Sequence, residues 1–121
     1  MDELIEQLAG KVGIDKDVAE KAVGTILGFL LKEGPTEQVQ ALINQIPGAT
    51  AAIEANSGGG GMSGLLGGGL MALGSKLMGF GLGMGEIQSV SRELFKFGRE
   101  KIGNDQMGVI IAETPGLSQF A

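Results

Sequence analysis

Apolar residues along this chain recur three and four positions apart, and that spacing predicts helices almost throughout. Leu4, Ile5, Leu8 and Val12 predict a short amphipathic helix closed by Gly10 to Gly13. Val18, Ala19, Ala22, Val23, Ile26, Leu27 and Leu30 make one broad stripe, which predicts a second helix running to Lys32. Asp15 is its expected N-cap, with the carboxylate accepting from backbone N–H groups of the next turn. Lys32-Glu33-Gly34-Pro35 stops the helix, because glycine tolerates a left-handed cap and proline cannot continue the ladder. Thr36 is expected to cap a third helix carrying Val39, Leu42, Ile43 and Ile46 on one face. Pro47-Gly48 ends it, and Thr50 to Ala55 adds a turn or two. Nowhere do β-branched and polar residues alternate over a strand length, so the expected fold is all-α.

The same pattern then returns without a gap, residues 13–49 matching residues 81–117 at a spacing of 68 positions. Ala19 falls on Ile87, Ala22 on Val90, Ile26 on Leu94, Leu27 on Phe95 and Phe29 on Phe97. Further on, Val39 falls on Met107, Leu42 on Ile110, Ile43 on Ile111, and Pro47-Gly48 on Pro115-Gly116. A shared register of apolar and turn positions predicts one helical unit used twice. The second copy has its long helix at Ile87 to Ile102, an expected capping Asn104, and a last helix from Met107 to Thr114. Leu70, Leu73 and Leu77 stand in for Met1, Leu4 and Leu8, one residue out of that register. The expectation is a single compact bundle of about six helices, with unit one at 1–56, a Gly-rich linker at 57–69 and unit two at 70–121.

Between the copies, Gly58 to Gly85 holds thirteen glycines in 28 residues, interleaved with Leu, Met and Phe. Ser57 to Gly64 is expected to be the most mobile internal stretch, since glycine loses the most backbone entropy on ordering. A membrane span is the tempting reading of Met62 to Met84, but spans need about 20 predominantly apolar residues. Here eight of the 23 residues are glycine and Lys76 lies within the segment, so a buried or interfacial helix is expected over Leu70 to Leu77.

Composition narrows the chemistry. The 121 residues carry a formal charge of −5, which disfavours a nucleic-acid binder, whose affinity rests on phosphate neutralisation. With neither cysteine nor histidine there is no thiolate nucleophile, no zinc-thiolate set and no ordinary proton shuttle at neutral pH. No tyrosine or tryptophan is present to stack on bases or sugars. The beginning Met1-Asp2-Glu3 lacks the basic and apolar regions of a secretory signal, so the expected compartment is the cytoplasm.

Each motif has a plainer explanation. Gly59-x-Gly61-x-x-Gly64 matches a dinucleotide fingerprint in form, but no strand precedes it. Asp15, Asp17 and Glu20 fall short of the oxygen count a hard cation needs, and acidic residues belong at a helix start for electrostatic reasons. Asp2, Glu3, Glu6, Glu33, Glu37 and Glu54 all sit on expected polar faces or helix ends, where no paired-carboxylate chemistry is indicated. No catalytic residue, metal ligand or cofactor site is therefore expected.

The string Gly13-Ile14-Asp15, Val18-Ala19 to Leu30, Val39 to Ile46 and Pro47-Gly48 resembles small bacterial helical families of unknown function. It is most similar to the VcgC/VcgE-like domain, and also to a neighbouring uncharacterised helical family. The resemblance implies a compact bacterial helical bundle and supplies no catalytic residues.

Where the copies disagree, an interaction face is indicated. Arg92, Lys96 and Arg99 lie at i, i+4 and i+7, and the first copy has Gly24, Gly28 and Leu31 at the matching positions. Two glycines one turn apart cost about 1 kcal/mol each in a helix interior, so an offsetting contact is expected. The nearer partner is the Leu70 to Phe80 helix, and the sharper one is the same face of a second molecule in a twofold homodimer. The expected role is a non-enzymatic protein-interaction or self-association module. The alternative is a membrane-surface protein that lays the Gly/Leu/Met-rich segment and the basic stripe on a bilayer.

Overall fold

The computed structural model describes residues 2–57 and 70–114, which form seven helices and no strand. In chain order they are α1 (Asp2–Val12), α2 (Lys16–Glu33), α3 (Thr36–Asn44), α4 (Ala49–Ser57), α5 (Leu70–Gly79), α6 (Met84–Ile102) and α7 (Asn104–Glu113). The expected linker, apart from Ser57, and the Pro115-Gly116 match lie outside the described residues.

The two long helices, α2 and α6, touch each other and organise the rest. α2 packs against α1, α3, α4 and α5, while α6 packs against α1, α3, α5 and α7. The stripe read from the sequence points inward: Ala19, Ala22, Val23, Ile26, Leu27 and Leu30 of α2 are all fully buried. On α6, Ile87, Val90, Leu94, Phe95 and Phe97 are buried likewise. The expected helix at Leu70 to Leu77 is present as α5, and Leu73 and Leu77 enter the same core. This cluster is the main source of stability, since fully burying one such side chain is worth about 1.5–3 kcal/mol.

The turns follow from backbone chemistry. Gly13 and Gly81 precede the two long helices at φ +81° and +95°, conformations that side-chain-bearing residues rarely adopt. Gly13 N–H donates to the Ala9 carbonyl and Gly81 N–H to the Met78 carbonyl, which closes α1 and α5 respectively.

Several expectations about helix ends are corrected. Asp15 occupies the N-cap of α2 in extended conformation but makes no side-chain cap bond. Pro35, not Thr36, is the N-cap of α3, and Gly103, not Asn104, is that of α7. Thr36 and Asn104 are instead the first helical residues, where the side chain no longer reaches back over the exposed N–H groups. At α6 the working contact comes from Glu86, whose carboxylate accepts from Gly83 N–H at 2.8 Å. Gly34 has φ −100° and so is not a left-handed cap. Its role is close approach: a Cβ there would lie 2.6 Å from Thr114 Oγ1 and 2.8 Å from the Leu30 carbonyl oxygen.

The largest departure is α4. The expected turn or two at Thr50 to Ala55 is a nine-residue helix, and it makes the most extensive helix–helix contact of the described residues, against α2.

Candidate interaction face

Position by position, α2 and α6 bury the same register until the face that differs. Gly24 is buried, and Gly28 and Leu31 are half-buried. A Cβ on Gly28 would meet Ile53 Cγ2 of α4 at 3.5 Å, ordinary van der Waals contact. Ala49 and Ala52 of α4 are also buried, so small residues on both helices permit the close packing. The contact expected to offset the two glycines is thus supplied by α4, which follows α3 in the first half of the chain. α5 packs on α2 as well, but less extensively.

On α6 the matching face is open. Arg92, Lys96 and Arg99 are all exposed. None has a carboxylate within ion-pair distance among the described residues. Glu93, which interrupts the stripe in sequence, turns away from it and pairs with Lys11 of α1 at 3.3 Å. Glu100 remains exposed at the edge of the stripe. Lys101 lies to the other side, its Nζ 5.1 Å from the centroid of the Phe97 ring. Sequence reasoning found the three cations from their spacing, but it missed the helix that packs over Gly28.

The carboxylates singled out as acid–base or metal candidates are dispersed. Asp15, Asp17 and Glu20 are exposed at the start of α2. Among the described residues no three Asp or Glu side chains converge as a metal site would require. Glu6 and Glu20 do line one open groove of about 620 Å³, with Ile5, Lys16, Pro47, Gly48 and Ala51. Glu6 is paired there with Lys16 at 3.6 Å, and both side chains are about two-thirds exposed.

No described helix is long and apolar enough to cross a membrane. Two large apolar side chains are nevertheless exposed, Met78 near the end of α5 and Met84 at the start of α6, at 49% and 56% of their surface. Comparison with known proteins adds no relative: no family model, no curated protein and no solved structure matches this chain.

Proposed function

We propose that this chain is a non-enzymatic helical interaction module built from two pseudo-repeated units, with the outer face of α6 as its contact surface for another protein. The repeat reading draws on common spacing. α2 and α6 begin 68 residues apart, as do α3 and α7, and Gly13 and Gly81, two of the four positive-φ glycines among the described residues, share that spacing. Equivalent elements also touch, α2 against α6 and α3 against α7. Unit two fills its interior by a different choice of sizes: Leu30 with Val39 in the first half corresponds to Gly98 with Met107 in the second.

One observation carries the functional reading. A chain of net charge −5 keeps three cations in a row on one helix face, exposed and with no carboxylate partner among the described residues. Exposed charges gain little from the fold, so their arrangement is explained better by something they meet. Self-association through Gly24 and Gly28 is disfavoured, because α4 already occupies that side of α2. Cytoplasmic residence fits this reading.

Lysine-directed cross-linking of the full chain in native lysate, mapped by mass spectrometry, tests it. The expected result is an intermolecular link at Lys96 in preference to Lys16, Lys21 and Lys32. Links spread over those three with none at Lys96 would remove α6 as the contact surface.

A second reading, association with a membrane surface, is favoured by the exposed Met78 and Met84. Co-sedimentation with phosphatidylglycerol vesicles that is lost in Met78→Ser/Met84→Ser would support it. A protein that stays in the supernatant would remove it.

A further inference from the structure

We infer that α6 docks an acidic helix of a partner protein along Arg92, Lys96 and Arg99, on the side where α2 holds α4. This rests on the proposed repeat and contact surface, and it specifies the partner's shape and charge. In the first half, Gly24 is buried, Gly28 has Ile53 of α4 seated over it, and Leu31 is half-buried, on the helix that α4 packs against. The residues 68 positions further on are Arg92, Lys96 and Arg99. The same side of the same architectural element is covered in one half and open in the other.

Side-chain chemistry then decides what fits. The α2 face is bare backbone at Gly24 and Gly28, and at Gly28 it takes the apolar Ile53 of α4 at close range. The α6 face carries three long cationic side chains spread over about 10 Å of helix, at 1.5 Å rise per residue. An apolar helix laid there would strip water from three charges and return nothing. A helix with carboxylates at i, i+4 and i+7 presents the same spacing with opposite sign, and two of the three cations are arginines able to bind carboxylate through paired N–H groups. Glu93 does not compete, being held by Lys11, and the exposed Glu100 sets the register by repelling a fourth carboxylate beside it.

The same observations disfavour other anionic partners. Between Gly85 and Gly103 no large apolar side chain is exposed on α6, so this face has nothing to insert into a bilayer. A long polyanion such as nucleic acid would meet only three cations here, on a molecule whose overall charge repels it.

The test is an NMR titration of the isotope-labelled full chain at low salt. One probe is an Ala-rich helical peptide with Glu at i, i+4 and i+7. The other is an isomer with the same glutamates distributed around the helix. The expected result is amide shifts confined to residues 88–103 with the first peptide, and affinity about tenfold weaker for the isomer and for Arg92→Glu/Lys96→Glu/Arg99→Glu. Retained spectral dispersion verifies that the variant folds, and Arg92→Gln alone provides a milder variant whose affinity must also fall. Shifts elsewhere, equal binding by the isomer, no shifts at millimolar peptide, or stripe-dependent binding of phosphatidylglycerol vesicles in place of the peptide would each overturn the inference. If Lys96 cross-links to a protein in lysate and the peptide fails, helix docking falls while the contact surface stands. If both fail, so does the reading beneath it.

Discussion

Replacing Gly28 and Gly98 by alanine makes the same chemical change in the two long helices and has opposite expected outcomes. Both glycines are helix-interior, so each substitution gains about 1 kcal/mol of backbone propensity. At Gly28 the new methyl lies 3.5 Å from Ile53 Cγ2, a distance that adds contact without overlap. Gly28→Ala is therefore expected to stabilise the fold by about 1 kcal/mol, raising Tm by roughly 4 °C. At Gly98 the methyl would stand 2.6 Å from Met107 Sδ and 3.2 Å from Leu42 Cδ1, and both neighbours are fully buried. Forcing a methyl into a packed core costs about 1–3 kcal/mol, which meets or exceeds the propensity gain. The expected order of stability is Gly28→Ala, then wild type, then Gly98→Ala, with about 1–3 kcal/mol between the extremes. Adding Met107→Val removes the obstructing sulfur and should recover part of the loss in Gly98→Ala. Urea unfolding followed by far-UV circular dichroism measures all four proteins. If both single variants gain stability equally, the close contact between α6 and α7 is not as tight as argued, and the reasoning fails.

Gly34→Ala should destabilise by about 2 kcal/mol, because a backbone carbonyl at 2.8 Å cannot move aside as a side-chain tip can; unchanged thermal unfolding would contradict this. Thr25 has a buried hydroxyl with no hydrogen-bond partner among the described residues. Thr25→Val keeps the shape, removes that unsatisfied group and should raise stability by about 1 kcal/mol in urea unfolding; a loss of that size would mean the hydroxyl has a use. The isolated segment 1–57 should show little helix, since half of a shared core buries too little surface. Cooperative melting of that segment as a monomer would show the two units to be independent.

The core was legible because burial in a helix imposes a period, and the stripes from Ala19 to Leu30 and from Ile87 to Phe97 carry it without interruption. Helix ends were less legible. A cap depends on which residue leaves helical φ and ψ, and Pro35, extended, and Gly103, at φ +91°, do so one residue ahead of the expected Thr36 and Asn104. Gly34 shows the same limit. Its composition indicated a left-handed turn, while the reason for a glycine there is the close approach of the Leu30 carbonyl and of Thr114, far away in the chain. α4 was under-read because Ala49 to Ser57 has no strong apolar face, only Ile53 among small and polar residues, and its packing depends on Gly28 of α2 opposite. The candidate face divides in the same way. The row Arg92, Lys96 and Arg99 follows from spacing alone, but its openness depends on Glu93 turning toward Lys11, a contact between α1 and α6.

The basic face of α6 is the proposed surface on which this molecule meets its partner. Affinity capture from native lysate with wild type, with Arg92→Glu/Lys96→Glu/Arg99→Glu, and with the control Lys16→Glu/Lys21→Glu/Lys32→Glu tests it most directly. The first charge reversal is expected to lose a protein that wild type and control both retain, with all three baits equally helical. Recovery of the same proteins in the same amounts by all three would contradict the claim.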